Sequence, residues 1–471
     1  MKEASIPKQY YDVLVLGSGP AGYVCAIRAA QLGLDVALIE REKVGGVCLN
    51  VGCIPTKSLL KSAEIANLLR EKGPKFGFSF DHLKLDYASA VKRAIENSNK
   101  LTEGLKILLK RNHVSVIKGD ATILGAGKVV VIDSAACRKA YFSNHLVIAT
   151  GASAIMPENW KVDEDVLTYK EAITQETLPK SVVIVGSGAI GLEFASIWNA
   201  YGTKVTVIEM AERIAPLEDE EISSSLKKEL QNRGIEILTG HVVKSIERVG
   251  KILQVHSEDA GKSTLVNGEQ VLVAIGFRPN TATIGLESVG LDSMIGSFIK
   301  TNEYMATPVS GVWAIGDVTA KMMLAHVGFA QGTLCAEKIG ELEPKPIDYY
   351  AIPHAIYSIP QVASFGYTER QARDVFKLVK VGKVQFSGNG KAVGSGEDNG
   401  WVKLVFDGER NQLVGAHLIG SDVSELLPEL TLAKTLEATM EDISLNIHAH
   451  PTLSEILREA ALSASGSALH G

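Results

Sequence analysis

Long apolar runs are missing from this sequence. No stretch of about eighteen apolar residues, the length a helix needs to cross a bilayer, occurs in it, so no membrane-spanning helix is expected. The N-terminal residues lack a charged segment followed by an apolar one, which argues against an export signal and for a cytoplasmic protein or a mature organellar matrix form. Aromatic residues are few, 6% of the chain, and no basic stripe interleaves with them. With a net charge of −6, nucleic-acid binding is not expected. Cysteine is scarce, five residues among 471, and the expected compartment keeps thiols reduced, so a structural disulfide framework is excluded. A close pair of cysteines in such a chain points to redox or metal chemistry.

Glycine, by contrast, is plentiful at 44 residues, and much of it sits in loops suited to phosphate. Two segments repeat one pattern. Residues 11–16 and 181–185 are short apolar β-runs leading into Gly17-Ser-Gly19-Pro-Ala-Gly22 and Gly186-Ser-Gly188-Ala-Ile-Gly191, each followed by a helical pattern. About twenty residues beyond each loop's start a second apolar run closes on an acid, Glu40 and Glu209, completing a βαβ dinucleotide signature. The glycines let backbone approach a pyrophosphate, the helix N-terminus favours its charge, and the acid accepts from a ribose diol. Two sites on one chain imply two different dinucleotides.

Cys48 and Cys53 follow the first of these units in Gly45-Gly-Val-Cys-Leu-Asn-Val-Gly-Cys-Ile-Pro-Thr-Lys57. Zinc is disfavoured, because Cys25, Cys137 and Cys335 are scattered and read as buried small hydrophobes; no metal site is expected. Five residues of regular helix rise about 7.5 Å, whereas bridged Cα atoms lie within about 6.8 Å. A disulfide here therefore requires a break in the helix, expected at Gly52 and Pro55, and the bond should be readily reduced. Near the C-terminus, Pro451 disfavours helix at His450 and can open one that brings Glu455 within reach of its imidazole. A carboxylate-oriented base and an ordinary turn histidine are both compatible with that spacing.

Taken together, these segments resemble the pyridine nucleotide-disulfide oxidoreductases, and within that family the dihydrolipoamide-oxidising branch, over the whole chain. The cysteine segment and His448-Ala-His-Pro-Thr-Leu-Ser-Glu455 carry the resemblance. It implies an α/β fold of two Rossmann-like dinucleotide-binding domains plus a C-terminal α+β dimerisation domain: an FAD-binding domain at 1–155, an NAD-binding domain at 156–280, a central domain at 281–349 that returns to the FAD domain, and an interface domain at 350–471. It makes Cys53 the flavin-facing thiol, Cys48 the interchange thiol, and His450, oriented by Glu455, the base supplied by the opposite subunit of a homodimer, with His448 secondary. It sets Lys57 near the flavin with Glu193 as its partner beside the nicotinamide. FAD would be held by Gly17, Gly19, Gly22, Glu40, Gly46, Lys57, Thr150, Gly151, Gly316 and Asp317, and NAD by Gly186, Gly188, Gly191, Glu193, Glu209 and Gly276. Met210 and Ala211, where a 2′-phosphate would call for arginines, favour NAD over NADP, Arg213 alone being weak support for the latter. The implied partners are the lipoyl and subunit-binding domains of a dihydrolipoyl acyltransferase, or a glycine cleavage H protein. Gln361 and Val47 depart from the family's usual Glu and Thr, away from every proposed reacting atom.

Overall fold

A computed structural model describes residues 9–160 and 163–470; residues 1–8, part of the segment read above for an export signal, lie outside it. The chain forms two compact units. One takes residues up to Ser58, Ser89–Ile155 and Gly276–Ile347; the other takes Leu59–Ala88, Met156–Ile275 and the chain from Asp348 onward. Residues 276–347 thus group with the first βαβ, and residues 156–275 share a unit with the C-terminal region.

The first unit is built on a seven-stranded sheet. Strand β1 (Tyr10–Leu16) is apolar from Val13 to Leu16 and fully or almost fully buried there, on both faces, as a central parallel strand should be. It pairs in parallel with β2 (Val36–Glu40) on one side and with Arg138–Ile148 on the other. Ligands of open α/β sheets bind where the winding reverses beyond the strands' C-terminal ends, and that point lies at the end of β1. Helix α1 (Pro20–Gln31), which starts there, packs against the helix Ala325–Ile339 through small residues. A Cβ on Gly332 would come 2.5 Å from the Ala21 carbonyl oxygen and 3.0 Å from the Cys25 nitrogen, so only glycine permits this approach.

The cysteine segment is two helices, α2 (Gly46–Asn50) and α3 (Cys53–Asn67). The break falls at Val51, whose φ is −141°, and Gly52. Pro55 takes no part in it. It lies in the first turn of α3, where the missing N–H has no helical acceptor to lose. Helix α3 passes at Leu68 into a π-helical turn over Leu68–Lys72, and a second long helix spans Tyr87–Arg111.

In the second unit the parallel strands Glu236–Thr239, Lys204–Glu209, Ser181–Val185, Gln270–Val273 and Val166–Leu167 repeat the nucleotide-binding arrangement. The C-terminal region is an antiparallel five-stranded sheet over Phe365, Phe386, Phe406 and Leu418, all fully or almost fully buried. The helix Glu455–Ala464 lies so close to the strand Val379–Gln385 that a Cβ on Gly382 would fall on the Ala460 carbonyl oxygen. Among the described residues no helix is long and apolar enough to cross a membrane, and no cluster of side chains could hold a metal ion.

Candidate active site

In the first unit each glycine of the loop after β1 has its own task. A Cβ on Gly17, whose φ is +102°, would strike the Ala149 carbonyl, and one on Gly22 would fall on the Gly17 carbonyl. These two glycines let the turn, helix and neighbouring strand close up. Nothing lies within 4 Å of a Cβ on Gly19, which caps α1 without any side-chain hydrogen bond. Open space and uncapped helical N–H groups are what a pyrophosphate requires. A Cβ on Gly46, φ +59°, would lie 2.7 Å from the Gly19 Cα, which draws the cysteine segment against the same loop.

Glu40 closes the arrangement. Its Oε2 accepts from the Ser18 N–H at 2.9 Å and the Ser18 hydroxyl at 2.6 Å, and its Oε1 from the Glu42 N–H at 2.7 Å. Ser18, fully buried, went unnoticed in the sequence, although the repeated Gly-Ser-Gly of the two loops was the signal for it. The Thr150 hydroxyl donates to the Asn280 carbonyl at 2.9 Å, and Gly151 follows with φ +67° and open space around it. Gly316, φ +75°, donates its N–H to Gln331 at 2.7 Å. Beside it, burial pushes the Asp317 carboxyl up to about 6. A carboxyl that burial alone disfavours as an anion is suited to the hydroxyls of a polyol chain.

Cys48 and Cys53 come together across the α2–α3 break as two thiols, not joined by a disulfide in this structure. The hydrogen bond to Cys53, then burial, push the Cys48 thiol up, and the Lys57 ammonium one helical turn beyond Cys53 pulls it back. Tyr23, which the sequence reading passed over, lies on α1 beside both sulfurs. Burial first, then the neighbouring Cys48 and Cys53, push its phenol up to about 12. Of the other cysteines, Cys25 and Cys335 are fully buried, as expected, and are hydrogen-bonded to each other, whereas Cys137, also expected to be buried, is exposed.

In the second unit the glycine loop is a close copy of the first. A Cβ on Gly186 would strike the Ala274 carbonyl, one on Gly191 the Gly186 carbonyl, and one on Gly188 nothing within 4 Å. The Ser187 N–H and hydroxyl donate to Glu209 Oε2 at 2.8 and 2.7 Å, and the Ala211 N–H donates to Oε1 at 2.8 Å. The Arg213 guanidinium is turned onto the Pro216 carbonyl at 2.8 Å. Glu193, buried on the helix Ala189–Ala200, accepts the Tyr357 N–H at 3.1 Å. Gly276, φ +126°, belongs to the first unit, where the Ile155 N–H donates to its carbonyl at 2.9 Å.

The same unit carries the histidines. His450 Nδ1 lies 2.9 Å from Glu455 Oε1, and Glu455 Oε2 accepts the Thr452 N–H at 2.8 Å. The hydrogen bond from Thr452, then that with His450, hold the Glu455 carboxyl below its ordinary range. With Nδ1 so engaged, Nε2 is left as the proton-accepting nitrogen of a side chain that is 78% exposed. His448 also meets a carboxylate, Glu429 at 3.0 Å, but its side chain is 6% exposed.

Residues 11–332 match the family described as pyridine nucleotide-disulphide oxidoreductase, and residues 352–461 match its dimerisation domain, which supports a homodimer. Dihydrolipoyl dehydrogenase of Corynebacterium glutamicum is 42% identical over 463 residues, covering 97% of this chain and 98% of the relative. That of Mycobacterium leprae is 43% identical over 454 residues, covering 96% and 97%. Among solved structures, LpdA from Mycobacterium tuberculosis superposes with a TM-score of 0.89 at 24% identity over 96% of this chain and 99% of that one, a likeness of fold. The HOCl-induced flavoprotein disulfide reductase RclA from Escherichia coli gives 0.86 at 25% identity, with the same coverage.

Proposed function

Because the chain belongs to the pyridine nucleotide-disulphide oxidoreductase family, whose members use FAD and a nicotinamide nucleotide, we propose that it oxidises protein-bound dihydrolipoyl groups to lipoyl groups and reduces NAD⁺. The observation that carries this reading is the meeting of Cys48 and Cys53 across a helix break, on a segment whose Gly46 lies against Gly19 of the first nucleotide loop. In the oxidised enzyme the two sulfurs form a disulfide. His450, from the partner chain of the homodimer, takes the proton of one substrate thiol at Nε2, and Glu455 stabilises the imidazolium that results. The substrate thiolate attacks Cys48 Sγ and the Cys53 thiolate leaves, because thiolates rather than thiols carry such exchange. The second substrate thiol then displaces Cys48, which closes the lipoyl disulfide and leaves both cysteines reduced. Flavin held at the first glycine loop would supply the two-electron chemistry by which the reduced pair is returned to its disulfide at the expense of NAD⁺.

Lys57 lowers the cost of a thiolate in the pair, and Glu193 is assigned to the nicotinamide site. Gly19 and Gly46 hold the FAD pyrophosphate region, Thr150, Gly151, Gly316 and Asp317 the rest of that cofactor, and Gly188 and Glu209 the NAD. Glu209, with Met210 74% exposed and Arg213 turned onto Pro216, supports NAD over NADP. A dihydrolipoyl acyltransferase, or the H protein of glycine cleavage, would present the substrate arm, in the cytoplasm or an organellar matrix. Turnover of dihydrolipoamide with NAD⁺, measured beside that of glutathione disulfide with NADPH, tests the reading. The first pair is expected to be preferred by orders of magnitude, and preference for the second would overturn it.

A further inference from the structure

Glu218, Asp219, Glu220 and Glu221 form a run of four acids at the start of the helix Glu220–Asn232. Such a run ordinarily marks a solvated face, yet each of these carboxylates is engaged by the C-terminal region. Glu218 meets His354 Nδ1 at 3.0 Å and accepts the Ser364 hydroxyl at 2.6 Å. Glu220 pairs with Arg370 at 2.7 Å and Glu221 with Lys383 at 2.7 Å. At the centre stands Lys403, 2% exposed on the strand Trp401–Asp407, with its Nζ 2.7 Å from Asp219, 2.8 Å from Glu221 and 3.3 Å from Glu369. Taking a lysine out of water is costly, and a buried ion pair rarely repays that in stability; fixing a geometry is its better-attested use.

The geometry in question continues to the second glycine loop. Asp219 caps the helix, accepting the Glu221 N–H at 3.1 Å. Four residues earlier, Ala215 sits in the left-handed region at φ +43°, a conformation that persists in a non-glycine residue only when its surroundings enforce it. Its carbonyl accepts the Glu218 N–H at 2.9 Å and the Ser223 hydroxyl at 3.2 Å, and its N–H donates to the Ser187 carbonyl at 3.1 Å. Ser187 in turn holds Glu209, the ribose-side acid. An unbroken series of polar contacts thus joins Lys403 to the nucleotide loop.

We propose that Lys403 is a positioning residue for the nicotinamide nucleotide: by anchoring Asp219 and Glu221 it keeps Ala215 strained against Ser187 and so keeps Glu209 in register for the ribose. The inference rests on the reading that the second glycine loop holds NAD. Without the ammonium, Asp219, Glu221 and Glu369 repel one another, the helix start shifts toward water, and Ala215 relaxes. The cysteine pair belongs to the other unit and is untouched.

The test uses oxidised, flavin-loaded enzyme and three measurements: direct titration with NAD⁺, steady-state kinetics, and the rate at which dihydrolipoamide reduces the enzyme without NAD⁺. Lys403→Met is expected to weaken NAD⁺ binding and raise its KM by about tenfold, within the range of ordinary site-to-site coupling, with kcat and the dithiol step within about twofold of the parent. Asp219→Asn, which keeps a good helix cap and removes the charge pair, is expected to act in the same direction, and it decides the matter alone if the lysine variant is not recovered folded. NAD⁺ affinity within about twofold of the parent, or a parallel fall in the dithiol step, overturns the proposal. A parent enzyme that takes up no NAD⁺ overturns the functional reading itself, and this inference with it.

Discussion

The first unit holds two cysteine pairs, and only one of them is built to react. Cys25 and Cys335 touch across the α1 contact with the helix Ala325–Ile339, both fully buried, and burial first, then the contact with Cys25, push the Cys335 thiol well up. Cys48 and Cys53 are also hydrogen-bonded to each other, and that bond and then burial push Cys48 up. Two features separate them. The second pair is partly exposed, and a lysine on its own helix opposes the rise. Thiol reactivity is set by access and by the charge that stabilises a thiolate, not by the nearness of a second sulfur. Position adds a third feature, since Gly46 presses the reactive segment against the loop proposed to hold FAD, whereas the buried pair only fills the core.

Substitution can break or sharpen this contrast. The largest effect is expected for Cys48→Ser, which should cut dithiol turnover at least about a thousandfold, as loss of a nucleophile does, and leave bound flavin and diaphorase activity; Cys335→Ala should leave turnover within about twofold. Full activity or loss of flavin in the first variant would contradict the roles given. Next, His450→Gln should lower dithiol turnover by about 10²–10⁴-fold, the usual contribution of a positioned base, with a much smaller loss for His448→Gln, read by steady-state kinetics. Lys57→Met should move the pH at which the reduced pair develops thiolate absorbance upward by about one pH unit, a tenfold change in the ionisation equilibrium. The sign follows from removing the ammonium whose charge lowers the Cys48 value. Smallest is the effect of Cys335→Ala on stability, about 1 kcal/mol for a deleted buried sulfur, measured by denaturant unfolding of the holoenzyme.

The reactive pair was legible in the sequence because its chemistry is local: two cysteines five residues apart, a glycine to break the helix and a lysine one turn on. Both nucleotide loops were legible for the same reason, each glycine and closing acid lying within a single βαβ unit. Pro55 misled, because proline breaks a helix interior but is welcome in a first turn, and where α3 begins could not be read from the residues alone. The contact of Cys25 with Cys335 was hidden, since the two helices that bring them together lie some 300 residues apart in the chain and pack through small residues with no motif of their own. Tyr23 escaped notice likewise, as its neighbours Cys48 and Cys53 come from other helices. Met210, Ala211 and Arg213 could be read for nucleotide preference, but the acids from Glu218 to Glu221 could not be read at all, because their partners belong to the C-terminal sheet and the helix beside it.

The most direct measurement is an anaerobic titration of the flavin-loaded enzyme with one equivalent of dihydrolipoamide, followed by absorbance. The account predicts a long-wavelength thiolate-to-flavin charge-transfer band in the parent and in a Cys25→Ala/Cys335→Ala variant, and none in Cys53→Ser. A band that survives loss of Cys53, or one that vanishes with the buried pair, would contradict it.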